Sequence, residues 1–195
     1  MGKIFCVMGK SSSGKDTIYK RLLEREDITL KRIVPYTTRP IRKHETEGME
    51  YHFVDGQRRD ALLEAGKVIE IRSYNTIHGI WDYFTVDDGE IDLSQGNYLV
   101  IGTLETYDKL TKYFGFEKIC PIYIEVEDGL RLERALQREQ KQSHPKYEEM
   151  CRRFLADQRD FSPKKLKELG IADAFQNITL EETVEQVATY IKNHA

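Results

Sequence analysis

The chain has 195 residues, 39% hydrophobic and 32% charged, which is room for one compact domain and too little for a large modular machine. Lys and Arg total 30 against 33 Asp and Glu, a formal net charge of −3, so the broad basic surface of a non-specific nucleic-acid binder is missing. Any anion must be met by a few placed cations.

Three cysteines, Cys6, Cys120 and Cys151, are an odd count without Cys-x-x-Cys or metal-ligand spacing, which speaks against a disulfide framework or zinc site. The apolar run Ile4 to Met8 is too short for a signal segment or membrane span, and Cys6 stands where a myristoylation signal needs Ser or Thr. The expectation is a soluble cytoplasmic protein, monomer or homodimer, with no nucleic-acid or membrane partner.

In chain order, a buried strand is predicted over residues 3–8, followed by a glycine loop and a helix whose apolar face is Ile18, Tyr19, Leu22 and Leu23. A strand at 31–34 precedes a stretch, 35–89, that breaks the rhythm. It carries YHFV at 51–54, a short helix near 57–66, VIEIRSY at 68–74 and WDYFTV at 81–86, the pattern of a small mixed α/β insert. Strand 98–102 leads to a helix with Leu104, Tyr107, Leu110 and Phe114 on one face; strand 119–126 leads to a helix over 128–138. An irregular stretch, 139–147, reads as a mobile flap before a helix marked by Tyr147, Met150, Cys151, Phe154 and Leu155. Strand 174–178 and a helix faced by Val184, Val187, Ala188 and Ile191 complete an α/β chain. Strands alternating with helices predict a five-stranded parallel sheet flanked by helices, with ligand groups at the carboxyl ends of the strands.

Residues 9–17 read GKSSSGKDT between a strand and a helix, which is the context a phosphate-cradling loop requires. Gly9, Lys10, Ser11, Ser12, Ser13, Gly14, Lys15, Asp16 and Thr17 form the candidate ATP site: loop amides and the helix N-terminus wrap the phosphates, and Lys15 reaches the β and γ groups. Asp16 stands where a magnesium-touching Ser or Thr is usual. Asp16 and Thr17 are the candidate Mg²⁺ ligands, since the ion prefers hard oxygens; a first-turn acid favoured by the helix dipole is the plainer alternative for Asp16.

Between 37 and 53, TTRPIRKHETEGMEYHF sets Arg39 and Arg42 close together before Tyr51, groups suited to a dianionic phosphate. With the glycine loop, with VIE at 68–70, with Arg134 and Arg138 in RLERALQR, and with Arg153 seven residues before Asp160, this run resembles the guanylate kinase family of nucleoside monophosphate kinases. The resemblance implies a P-loop fold with three parts: a core of 1–34 with 90–135 and 149–195, an acceptor-binding insert at 35–89, and a helical lid at 136–148. It implies that Arg39, Arg42 and Tyr51 hold the acceptor phosphate with Glu45 in support. Glu70 then faces the base, with Tyr83, Thr85 and Thr103 also on the acceptor side. Lys15, Arg39, Arg134, Arg138 and Arg153 carry the transfer, and Asn177 lies near the donor adenine.

The chain also departs from that family. Phe84 stands where Gly is usual, Pro35–Tyr36 replaces small hydroxyl residues, and LVIGTLE with Gly102, Thr103 and Glu105 replaces an Asp-x-Asp pair. Arg131, Arg134 and Arg138 share one helix face, with Arg131 and Arg152 read as surface pairing partners. The histidines His44, His52, His78 and His144 lack a triad context. The expectation is γ-phosphoryl transfer from Mg·ATP to a nucleoside monophosphate, GMP or dGMP foremost. The alternatives are a ribose 1,5-bisphosphate phosphokinase, towards which Asp16 and Gly102–Thr103 lean, and a catalytically silent guanylate-kinase-like binding module.

Overall fold

A computed structural model of the chain describes residues 2–76 and 79–195. Five parallel strands form the core sheet, in the order β2 (Leu30–Arg32), β7 (Asn97–Ile101), β1 (Ile4–Met8), β8 (Ile119–Glu125) and β9 (Phe175–Gln176). β1 lies at the centre with every residue buried, which is why it reads as an unbroken apolar run. Its side chains alternate. Ile4, Cys6 and Met8 join a core with Leu104, Tyr107 and Leu110 of α3 (Leu104–Phe114). Phe5 and Val7 join the opposite core with Ile18 and Leu22 of α1 (Lys15–Leu23) and Val184, Val187 and Ile191 of α7 (Leu180–His194).

The insert builds its own four-stranded sheet, ordered β4 (His52–Phe53), β3 (Tyr36–Thr37), β6 (Gly79–Val86), β5 (Val68–Thr76), with α2 (Gly56–Glu64) over a small core of Leu62, Phe84 and Val86. β3 pairs parallel with β4 and antiparallel with β6, so the sheet is mixed. Asp82 ties it together from a buried position: its side chain takes Ser73 Oγ at 2.6 Å and the Arg59 guanidinium, and its carbonyl takes Thr37 Oγ1 at 2.8 Å.

Beyond β8 stand α4 (Asp128–Gln140), α5 (Tyr147–Asp160) and α6 (Pro163–Glu168). The sequence did not predict α6, whose six residues include a single packed apolar side chain, Leu166, too few to show a period. The expected flap is shorter and tied: buried Glu139 accepts Gln142 Nε2 and the Lys146 amide, both at 3.1 Å. Strand β9 ends at Gln176, two residues early, because Asn177 turns beneath the glycine loop. No helix among the described residues is long and apolar enough to cross a membrane.

Candidate active site

Met8 ends β1, and the chain turns through Gly9–Gly14 into α1. Ser12 at φ 63° and Gly14 at φ 86° both adopt left-handed backbone, the conformation that curls successive amides into an anion nest. The loop is seated too closely for side chains at its glycines: a Cβ on Gly9 would lie 2.5 Å from the Ile124 carbonyl, and one on Gly14 would lie 2.4 Å from Asn177 Nδ2. The Ser12 and Ser13 hydroxyls are buried without a hydrogen-bond partner among the described residues. Such orphans are costly unless a ligand satisfies them, and phosphate oxygens are suitable acceptors. At the first turn of α1, the exposed Asp16 carboxylate lies 3.2 Å from Lys15 Nζ, beside exposed Thr17. These hard oxygens fit Mg²⁺, which is held by one or two carboxylates together with substrate phosphates and water.

The loop is gripped from outside by α4 and α5. The Ser11 amide donates to Asp157 Oδ2 at 2.8 Å, and the Ser11 carbonyl accepts Arg131 Nε at 3.0 Å. Arg131 also binds Asp157 at 3.1 Å and Asp128, with Phe154 under its guanidinium at 4.9 Å. Lys10 Nζ completes the latch on Gln158 Oε1 at 2.7 Å. Burial raises the Asp128 carboxyl, but bonds from Gln158 and Arg131 outweigh it and hold the group below the ordinary carboxylate range. Arg131 is therefore no surface partner, as helix spacing suggested, but 1% exposed. Spacing along one helix could not reveal this, because its partners lie on the loop and on α5.

Asn177 supports the loop from below. Its Nδ2 donates to the Ser13 carbonyl at 2.7 Å, its Oδ1 accepts Thr183 Oγ1 at 3.3 Å, and its amide donates to Glu125 O at 2.8 Å. Both ends of the side chain are engaged and buried, so the expected contact with the donor base gives way to loop support. Arg134 Nη2 reaches the Asn177 carbonyl at 3.4 Å and is the one of the three expected lid arginines that sits against the loop's surroundings. Arg138 lies 3.9 Å from Glu139, and Arg153 Nε binds Glu149 at 2.7 Å; both are about half exposed. Glu149 also takes Arg152, and these bonds pull its carboxyl down to about 2. Arg152, in turn, lies within electrostatic reach of Tyr74 on the insert.

In the insert, Arg39 is 3% exposed and boxed by aromatic rings, with Tyr51 at 5.0 Å, Phe53 at 5.4 Å and Tyr83 at 6.0 Å. Its terminal nitrogens are committed to Glu45 and to the Pro40 carbonyl, while its buried Nε has no hydrogen-bond partner among the described residues. Glu45 Oε2 also accepts the Arg42 amide at 2.9 Å, which fixes the turn and leaves the Arg42 side chain exposed. Glu70 is 4% exposed; Thr85 Oγ1 donates to it at 2.9 Å, and Arg72 grips both its oxygens, Nε at 2.9 Å and Nη2 at 3.2 Å. Thr103 caps α3 by accepting the Thr106 amide at 3.3 Å. Tyr51 is raised by burial and then by Tyr83, with Asp16 of the glycine loop also within electrostatic reach, so the two halves of the site face one another.

Sequence reasoning missed Arg72, Asp82, Asp128, Asp157 and Gln158. Arg72 had a usable signal, since a residue two places along a strand shares a face with Glu70. Of the histidines, His52 pairs with Glu47 at 3.0 Å, and His78 lies outside the described residues.

The family model described as Guanylate kinase matches residues 1–80. A guanylate kinase from Anaplasma phagocytophilum (strain HZ) is 26% identical over 204 residues, covering 99% of this chain and 85% of that protein. One from Malacoplasma penetrans (strain HF-2) is 35% identical over 69 residues, and there the match spans about a third of each protein, 35% of both. The crystal structure of guanylate kinase from Anaplasma phagocytophilum shares the fold, with a TM-score of 0.70 at 20% identity over 98% of this chain and 85% of that one.

Proposed function

We propose that this chain is a divergent member of the guanylate kinase family and that it transfers the γ-phosphoryl group of Mg·ATP to a nucleoside monophosphate, GMP or dGMP foremost. The observation that carries this reading is the meeting of a phosphate nest containing orphaned serine hydroxyls with an insert that presents Tyr51, Arg42 and a buried Glu70.

In this reading the loop amides and Lys15 hold the donor phosphates. Arg42 and Tyr51 hold the acceptor phosphate beside the buried Arg39, with Glu45 keeping the turn in shape, and Tyr83 and Thr103 border the acceptor. Glu70, oriented by Thr85, accepts hydrogen bonds from the base. An oxygen of the acceptor phosphate attacks the γ-phosphorus in line; the bond to the bridging oxygen of ADP breaks, and that oxygen keeps the electron pair. No covalent enzyme intermediate is needed, so the protein's work is alignment and charge stabilisation. Of the three lid arginines, Arg134 stands nearest the loop to meet the charge that develops, while Arg138 and Arg153 need the lid to close before they take part. Asp16 and Thr17 would hold Mg²⁺, which when bound draws charge from the β and γ oxygens.

An ADP-release assay with Mg·ATP against GMP, dGMP, AMP, CMP, UMP and ribose 1,5-bisphosphate tests the reading. Turnover is expected with the guanine nucleotides. Turnover confined to the sugar bisphosphate, or none with any acceptor, would contradict it and favour the sugar kinase or the silent binding module respectively.

A further inference from the structure

Glu70 is not a bare carboxylate. Arg72, two residues along β5, lies beside it and uses its Nε hydrogen and one Nη2 hydrogen on the two carboxylate oxygens. A guanidinium has five donors, so three remain, and they have no further partner among the described residues. On the carboxylate, Oε1 takes Arg72 and Thr85, whereas Oε2 takes Arg72 alone and has a lone pair left to accept another donor. Arg72 sits within electrostatic reach of Tyr51 and Tyr74, on the cleft side of the insert. The site therefore offers an acceptor and a donor side by side.

We propose that Arg72 is a specificity-determining residue that reads the 6-oxygen of the acceptor purine while Glu70 accepts its N1–H; this deepens the proposed function and rests on it. A 6-oxopurine presents a donor at N1 next to an acceptor at position 6, the complement of the Glu70–Arg72 edge. Adenine presents the reverse, an acceptor at N1 and an amine at position 6, and so meets two mismatches. A buried polar edge left unpaired by the wrong base is a strong source of discrimination. Pro35 and Tyr36 bring no small hydroxyl to this side, and Tyr36 points its own hydroxyl at Asp88, at 2.7 Å. Arg72 supplies the missing donor. The pair implies that IMP, which keeps N1–H and the 6-oxygen, is an acceptor of the same class as GMP.

The test compares kcat/KM for GMP, IMP and 6-thioguanosine 5′-monophosphate, which keeps N1–H but replaces the 6-oxygen with sulfur, a weak acceptor, in the native chain and in Arg72→Ala. The loss expected for GMP and IMP is about ten- to a hundredfold, the scale of one good arginine–base contact, with the 6-thio nucleotide losing several-fold less and KM for Mg·ATP unmoved. Equal losses on all three acceptors would overturn the assignment, because they would mean that Arg72 merely holds Glu70 in place. If Arg72→Ala does not fold, Arg72→Gln decides: it retains a donor, so part of the preference for the 6-oxygen over the 6-sulfur is expected to survive, and its complete loss together with an equal loss on the 6-thio nucleotide would overturn the proposal. Absence of GMP turnover by the native chain is a different result, and it would fall on the proposed function itself.

Discussion

At the scale of single residues, two carboxylates decide how this site works. Glu45 binds Arg39 through both oxygens at 14% exposure, and that pairing outweighs burial and holds its carboxyl below the ordinary value of 4.5. A depressed carboxylate stabilises the fold fully above its unfolded value, and the contribution is lost as pH falls through the lower folded value. Melting curves of the native chain and Glu45→Gln are therefore expected to differ by a constant amount near neutrality and to converge below 4.5. A gap that widens on acidification would contradict the pairing. Asp16 is the second. Exposed, and 3.2 Å from Lys15, it is free to turn toward a metal. Asp16→Ala should raise, several-fold, the Mg²⁺ concentration needed for half-maximal binding of a non-hydrolysable ATP analogue. An unchanged requirement would leave Asp16 as a first-turn acid only.

Elements, at the next scale, explain why the charged helices matter. α4 and α5 do not simply cover the sheet; through Arg131, Asp157 and Gln158 they hold the outside of the glycine loop. A hydrogen bond to a charged group contributes ~1.5–3 kcal/mol, so Asp157→Ala is expected to raise KM for Mg·ATP about tenfold or more with KM for the acceptor unchanged. Tighter ATP binding in that variant would mean that Asp157 competes with phosphate for the Ser11 amide. The helices were legible as helices because their apolar faces repeat at 3.6 residues, yet the direction of their arginines was not. Arg131, Arg134 and Arg138 share a face on paper, but α4 passes the loop at one end only. Arg131 is therefore buried there, Arg134 touches the carbonyl of Asn177, and Arg138 reaches solvent. Residue spacing fixes relative orientation on a helix; which neighbour it meets depends on the rest of the fold.

Taken whole, the molecule is a parallel sheet carrying an anion loop at its carboxyl edge, with a mixed sheet set against it. The five core strands were readable because both faces are covered, which makes each a plain apolar run. The glycine loop was readable because its chemistry needs a fixed spacing between strand and helix. Asp157 and the downward turn of Asn177 were not, since they depend on contacts across more than a hundred residues of chain. The near-neutral charge fits this plan: with 30 basic residues against 33 acidic ones the chain has no basic excess, and the proposed site relies on a few placed cations such as Lys15, Arg42 and Arg134. The central claim is that one phosphoryl group passes between two nucleotides held here. It is tested most directly with ATP radiolabelled at its γ-phosphorus, Mg²⁺ and GMP, separating the products after a single incubation. The account predicts label in GDP in step with unlabelled ADP; label released only as inorganic phosphate, or retained in ATP, would contradict it.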